Sequence, residues 1–126
     1  MPASPEEKQF VAYVLELMQS VGPVIAKRMF GSHGIFLEGL MFGLISNSTL
    51  YLKADNDSEQ EFKERGLEPF TYQKLGKEQA LRYYQAPEEA LEHVEEMNIW
   101  ANKAYGVALR AALKVASPTA TKGSRA

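Results

Sequence analysis

The chain has 126 residues, of which 45% are hydrophobic and 24% are charged, so it is long enough to form one folded domain with a substantial core. It contains no cysteine, which excludes disulfides and thiolate metal sites, and no apolar run reaches the roughly 20 residues of a membrane-spanning helix. The net charge is −2 and the pI is about 5.7, so the chain lacks the excess of basic residues that is typical of a nucleic-acid-binding domain.

The N-terminal segment predicts a helix and not a targeting sequence. Residues 1–7 hold no basic segment and no apolar run, so we expect no secretory signal and a cytoplasmic protein. Ser4 and Glu7 form a capping box, and Pro5 suits the first helical position. Gly22-Pro23 is expected to end the helix. The apolar residues at helical spacing before it are Phe10, Val14, Leu17, Met18 and Val21.

The densest apolar run of the chain, residues 28–55, predicts an antiparallel meander. Glu38-Gly39 suits a two-residue hairpin turn because glycine accepts the positive φ that such turns need. Ser46-Asn47-Ser48 suits a second turn, since short polar side chains bond their own backbone there. The strands expected around these turns are Val24–Phe30, Ile35–Leu37, Leu40–Ile45 and Leu50–Lys53.

The expected hairpin has two apolar faces. With a two-residue turn, Leu37 is opposite Leu40 and Ile35 is opposite Phe42, and Leu44 shares their face. The residues expected on the other face are Phe36, Met41 and Ile45. One face packs on the helices, so the other is expected to meet the C-terminal helix or a second subunit.

Gly31-Ser32-His33-Gly34 is interpreted as a turn between two strands. A second interpretation is a small-molecule or anion-binding loop over Arg28–Gly34, in which Arg28 and His33 supply charge or a proton. The segment lacks the lysine and the hydroxyl of a phosphate loop. The candidate partner or ligand contacts in this part of the chain are Arg28, Phe30, His33, Phe36 and Met41.

Residues 55–66 predict a short helix. Ser58 and Glu61 form a second capping box, and Gly66 is expected to end the helix after about two turns. Residues 55–59 resemble the start of a calcium loop, but Gln60 occupies the position of the sharp-turn glycine, so no metal is expected.

A second hairpin is expected over residues 68–84. Its strands are Glu68–Gln73 and Ala80–Tyr84, with Phe70 and Tyr72 facing Tyr83 or Tyr84. An alternative, in which these aromatic residues and Arg82 stack on single-stranded nucleic acid, lacks a basic groove around them in the sequence.

The last predicted helix is the longest and runs from Ala86-Pro87 to Ser117-Pro118. Glutamates are concentrated at its start and basic residues at its end, an arrangement that the helix dipole favours. An alternative is that this basic end, Lys103 to Arg125, contacts nucleic acid through Lys103, Arg110 and Lys114. The stripe expected to face the core is Ala90, Val94, Met97, Ala101, Ala104, Ala108, Ala112 and Val115. We expect one domain over residues 1–116 and a disordered tail over residues 117–126.

The chain lacks a recognisable catalytic set. Of its two histidines, His93 has no second ligand at metal-binding spacing, and no nucleophile elbow, phosphate loop or dinucleotide fingerprint is present in the sequence. We therefore expect no catalytic residue, no metal, no cofactor and no enzymatic activity.

Several short motifs follow one another in a fixed order. They are Arg28-Met29-Phe30-Gly31, His33-Gly34-Ile35-Phe36, Met41-Phe42, Leu50-Tyr51-Leu52-Lys53-Ala54-Asp55, Pro69-Phe70-x-Tyr72 and Tyr83-Tyr84-x-x-Pro87-Glu88. This series resembles the N-terminal domain of the TfoX/Sxy family over roughly residues 10–112. The resemblance implies an α+β fold, with a mostly antiparallel sheet of about five to six strands, an N-terminal helix, a short middle helix and a long C-terminal helix, similar to the fold of secretion chaperones.

The resemblance also implies a regulator and not an enzyme. Full-length family members regulate competence genes, act with the cyclic-AMP receptor protein at promoters and have no known catalytic residues. They carry a second, helical C-terminal domain that nothing in this sequence resembles, and many have glycine where this chain has Ser32. We expect a protein-interaction domain that is transcription-related, with a protein partner such as the transcription machinery, no membrane contact and self-association as a homodimer.

Overall fold

The computed structural model describes residues 5–29 and 31–116, which form an α+β fold. The helices in these residues are α1 (Pro5–Leu17), α2 (Glu59–Glu64), α3 (Glu88–Glu92) and α4 (Val94–Ala116). The strands are β1 (Ile25–Met29), β2 (Ser32–Leu37), β3 (Leu40–Ser46), β4 (Thr49–Lys53), β5 (Pro69–Lys74) and β6 (Lys77–Gln85). All neighbours pair antiparallel in one sheet with the order β1-β2-β3-β4-β6-β5. The predicted fold class is confirmed.

Some predictions fall outside the described residues. These are the capping residue Ser4, the candidate contact Phe30 and the tail over residues 117–126. Within the described residues, no helix combines the length and the apolar character that crossing a membrane requires.

The core lies between one face of the sheet and the helices, all four of which contribute to it. Phe42 of β3 is fully buried and its ring meets that of Tyr105 on α4 edge to face at 5.5 Å. Three small residues of α4, Ala101, Ala104 and Ala108, are buried, so the helix approaches the strands closely. Most of the predicted alanine stripe is therefore confirmed, whereas Val94 is about half exposed.

A β-bulge changes the predicted faces of the central hairpin. The turn at Glu38-Gly39 and the pair Leu37–Leu40 are as predicted, but Ile35 pairs with Gly43 and not with Phe42. The extra residue in β3 reverses the alternation beyond it, so Ile45 joins the core and Leu44 lies on the opposite face. A Cβ on Gly43 would lie 3.1 Å from the Cβ of Ile35, which explains glycine at the bulge.

Three predicted segments end differently in the structure. Helix α1 ends at Leu17, five residues before Gly22, and a hydrogen-bonded turn follows. A turn separates β1 from β2 as predicted and includes Gly31 (φ 80°), but it does not extend to residue 34, because β2 already begins at Ser32. The predicted last helix is divided at His93, whose extended backbone (φ −137°, ψ 130°) separates α3 from α4.

The predicted capping box of the middle helix is wrong, although the helix itself forms. Ser58 precedes α2 but its side chain makes no capping bond. Instead its hydroxyl accepts a hydrogen bond from the backbone N–H of Asp55 at 3.0 Å, while the Asp55 carboxylate accepts from the N–H of Ser58 at 2.8 Å. Phe62 is the residue that anchors α2, since it lies in the core.

Strands β5 and β6 extend beyond the helices as a two-stranded hairpin arm, residues 71–82, in which every residue is exposed. Its turn is Leu75-Gly76, and both residues have positive φ. Tyr72 pairs with Gln79, so the predicted contact of Tyr72 with Tyr83 or Tyr84 is wrong. Tyr84 instead faces the core and stacks on Phe62.

Candidate functional site

The side of the sheet away from the helices forms the candidate site, here called the outer face. Side chains alternate along each strand, so the pairing register decides which residues point outward. Outward positions on β1, β2 and β3 carry Ile25, Lys27, Met29, Phe36, Met41 and Leu44. Outward positions on β4, β6 and β5 carry Tyr51, Lys53, Tyr83, Leu81, Gln79, Lys77, Phe70, Tyr72 and Lys74.

One half of the outer face, on β1 to β3, is apolar and rich in methionine. Phe36 pairs directly with Met41, as predicted, and both are half-buried. A Cβ on Gly34 would lie 2.8 Å from both the Met29 sulfur and the Phe36 ring, so these side chains fold over the glycine. Lys27 places its ammonium 5.0 Å from the centre of the Phe36 ring. We call these residues, with Ile25 and Leu44, the apolar half.

The other half, on β4 to β6, combines aromatic rings with lysines. The ring of Phe70 meets Tyr51 edge to face at 5.3 Å and stacks near Tyr72 at 6.5 Å. The ammonium of Lys53 lies 5.1 Å from the centre of the Tyr83 ring. Burial raises the pKa of Tyr83 to about 12, and its hydroxyl donates to the carbonyl of Met41 at 3.4 Å. We call this region, which continues onto the hairpin arm with Lys74 and Lys77, the aromatic–lysine half.

The structure separates the predicted partner contacts into two groups. Phe36 and Met41 lie together on the outer face, whereas Arg28 and His33 pair with each other on the helix side of β1 and β2. Because His33 is in a strand and only 7% exposed, an anion loop over residues 28–34 has no geometric support.

His33 belongs to a buried polar contact that joins α1 to the sheet. Its Nδ1 lies 3.3 Å from a carboxylate oxygen of Glu7, the distance of an ion pair when the imidazole is protonated. The other oxygen of Glu7 accepts a hydrogen bond from the backbone N–H of Ser48 at 3.2 Å. Both side chains are about nine-tenths buried, which indicates a structural role.

The predicted nucleic-acid contacts of α4 line its solvent side, and two of the three are paired. Lys103 contacts both carboxylate oxygens of Glu61 at 3.2 Å, and Arg110 contacts Asp55 at 3.0 Å. Lys114 lines a cavity of about 460 Å³ between the end of β4, Arg82 of β6 and the last turns of α4. The pairing to carboxylates reduces the positive charge that α4 offers to a phosphate backbone.

Asp55 at this cavity gives the fold an acid-sensitive contact. A hydrogen bond from the backbone N–H of Ser58, with a smaller contribution from Arg110, lowers its pKa from 3.8 to about 2. Because the folded-state pKa is the lower one, the carboxylate stabilises the fold above about pH 4, and this contribution is lost as the pH falls toward about 2.

The Asp55→Asn variant tests this contact. The variant should lose less stability than the parent chain between about pH 4 and 2, because its amide does not titrate in that range. Urea unfolding at a series of pH values measures the difference, and a carboxyl NMR titration of the parent chain should show a midpoint near the lowered pKa. Parallel stability curves for the two chains would contradict the assignment.

Among residues 5–29 and 31–116, no group of three or more histidine or carboxylate side chains is arranged to hold a metal ion. Sequence reasoning identified Phe36 and Met41 but missed the aromatic–lysine half as a unit. Lys74 and Lys77 flank the turn of one hairpin, but Lys53 lies 21 residues before Lys74, and only the pairing of β4 with β6 brings it to the same face. The available signal was the alternation of Phe70, Tyr72 and Lys74 along β5.

The chain is similar to known proteins over most of its described residues. The family model described as the TfoX N-terminal domain matches residues 16–108. Protein Sxy of Escherichia coli (strain K12) is 29% identical over 73 residues, which are 58% of this chain and 35% of that protein. The chain therefore spans about a third of the length of this curated relative.

Proposed function

Because the chain belongs to the family of the TfoX N-terminal domain, we propose that it is a non-enzymatic, transcription-related regulatory domain that acts by contacting a protein partner in the cytoplasm. The regulatory part of the proposal rests on family membership, and the protein contact rests on the apolar half of the outer face. The chain covers only about a third of Protein Sxy, so the activity of that whole protein enters here as a proposal.

The observation that carries the proposal is that the apolar half is partly exposed, although its Leu44 is buried. Ile25 is 50% exposed, and Met29, Phe36 and Met41 are only half-buried although they lie side by side. Contiguous apolar surface of this kind marks interaction sites, and methionine side chains adapt to the shape of a partner.

Charge favours a different protein over a second copy of this chain. Lys27 lies on the edge strand β1 beside Phe36, and the outward positions of the six described strands carry no aspartate or glutamate. Two copies packed face to face would bring lysines together without a carboxylate to pair them. A partner from the transcription machinery with an apolar centre and an acidic rim fits this surface better than self-association does.

A capture experiment with the double variant Phe36→Ser and Met41→Ser tests the proposal. The tagged parent chain, the variant and a matched control are incubated with nuclease-treated lysate of the source cell, and bound proteins are identified by mass spectrometry. The control is Ile99→Ser with Leu109→Ser, which removes two apolar side chains from α4 that are more exposed than Phe36 and Met41. Thermal unfolding confirms that each variant is folded.

We expect a transcription-related protein that the parent chain and the control both bind and the double variant does not. Since hot-spot residues cost at least about 2 kcal/mol when truncated, its affinity should fall roughly 30-fold or more. Retention of that protein by the double variant would disprove the assigned surface. Self-association in analytical ultracentrifugation that disappears in the double variant would instead identify a homodimer interface.

A further inference from the structure

Charge on the described part of this acidic chain is segregated between the two sides of the sheet. The chain has a net charge of −2, yet Lys27, Lys53, Lys74 and Lys77 occupy outward strand positions. Carboxylates that pair with cations, such as Glu59 with Arg82 on the inward side of β6, belong to the helix side. The outer face is therefore positively charged, although the net charge of the whole chain is negative.

The positive charges of Lys74 and Lys77 repel each other unless both lysines bind the same anion. Lys74 and Lys77 are directly opposite each other in the register of the hairpin arm. Like charges in opposed positions destabilise a strand pair, and neither ammonium group has a carboxylate partner among the described residues. Anionic groups bound at the end of the arm would relieve this repulsion.

The aromatic rings next to these lysines form a continuous row. It runs from Tyr51 through Phe70 to Tyr72, and Tyr72 is 38% exposed. Gln79, opposite Tyr72, adds an amide that both donates and accepts hydrogen bonds. Glu68 lies at the inner end of the row. The pKa of Tyr51 is raised mainly by burial and to a smaller extent by the negative charge of Glu68. The positive end of the row is therefore the arm.

We propose that the aromatic–lysine half binds single-stranded nucleic acid, with bases stacked on Phe70 and Tyr72 and phosphates held by Lys53, Lys74 and Lys77. Unstacked bases bind to aromatic side chains on an open sheet, while lysines follow the backbone. In a duplex the bases are stacked on one another, so only its phosphates could contact this row of aromatic rings and lysines. The surface is distinct from the apolar half, so it does not depend on the proposed protein contact.

Fluorescence anisotropy with the full chain tests the proposal. The probes are labelled single-stranded DNA and RNA of mixed sequence, about 12 nucleotides long, and the corresponding DNA duplex, each over a series of salt concentrations. Labelled polyglutamate serves as an anion without bases. We expect the single strands to bind more tightly than the duplex or polyglutamate.

Two variants and one control assign the site. Tyr72→Ala should weaken single-strand binding about 5-fold to 100-fold, because one stacking platform is lost. Lys74→Gln with Lys77→Gln should lower the steepness of the salt dependence by about 1.4, since two phosphate contacts are removed. The matched control, Lys103→Gln with Lys114→Gln, removes two lysines from α4 and should leave both quantities unchanged. All substituted side chains are exposed, so the fold should persist.

Four results would overturn the proposal. They are the absence of single-strand binding at low salt, tighter binding of the duplex, equal binding of polyglutamate, and loss of binding in the α4 control but not in the arm variants. The last result would transfer the nucleic-acid contact to the basic end of α4. None of these results depends on whether the apolar half binds a protein, so the two proposals fail separately.

Discussion

Replacing Phe62 by alanine should lower the free energy of unfolding by about 3–5 kcal/mol, the range for removing a buried aromatic side chain. Phe62 is 4% exposed and is the buried residue of α2. Its ring stacks on Tyr84 of β6 at 5.4 Å and lies 5.4 Å from Trp100 of α4, so it joins three elements.

Besides leaving a cavity, the Phe62→Ala substitution should destabilise helix α2 as a whole. Helix α2 has six residues, too few to be stable without tertiary contacts. Its loss would also release Glu59 from Arg82 and Glu61 from Lys103, two surface pairs that depend on the position of the helix.

Urea unfolding followed by the fluorescence of Trp100, the single tryptophan, measures the change. The control is Glu64→Ala on the exposed side of α2, which should change stability by about 0.5 kcal/mol or less. A loss below about 1 kcal/mol for Phe62→Ala would show that α2 does not depend on this ring.

Replacing Glu7 by alanine should lower the free energy of unfolding by about 2–3 kcal/mol, because it leaves buried polar groups without a partner. The carboxylate accepts the N–H of Ser48 and lies 3.3 Å from Nδ1 of His33. It thus connects α1 with the β3–β4 turn, where Asn47 and Ser48 both have positive φ. Glu7→Gln keeps an acceptor of the same shape and should lose less than half as much.

A double-mutant cycle with His33→Gln isolates the contact between the two side chains. Glu7 and His33 should show a coupling energy of about 0.5–3 kcal/mol, the range for residues that touch within one polar network. Additive losses in thermal or urea unfolding would mean that the two groups do not stabilise each other. Strong coupling would confirm His33 as a structural residue and remove it from the candidate ligand contacts.

The part of the candidate site that depends on local pattern was predictable, and the part that depends on strand pairing was not. The two-residue turn at Glu38-Gly39 placed Phe36 beside Met41 correctly, because a tight turn determines the nearest pairs. The same reasoning assigned Leu44 and Ile45 to the wrong faces, since it assumed regular alternation past Phe42. The position of the bulge depends on the close packing of Gly43 against Ile35, and the residue pattern of β3 alone does not predict it.

The family, the α+β class and the identity of most helices and strands were predictable from the amino-acid sequence. These follow from hydrophobic periodicity, turn residues and an ordered set of motifs, all of which are local properties of the chain. Which distant side chains contact one another became clear only from the folded structure. It buried His33 against Glu7, and it brought Lys53 of β4 to the face that carries Lys74, Lys77 and a row of aromatic rings. The reason is that side chains alternate with a period of two along a strand, so the register between distant strands, set by packing on the helices, decides which charges share a face.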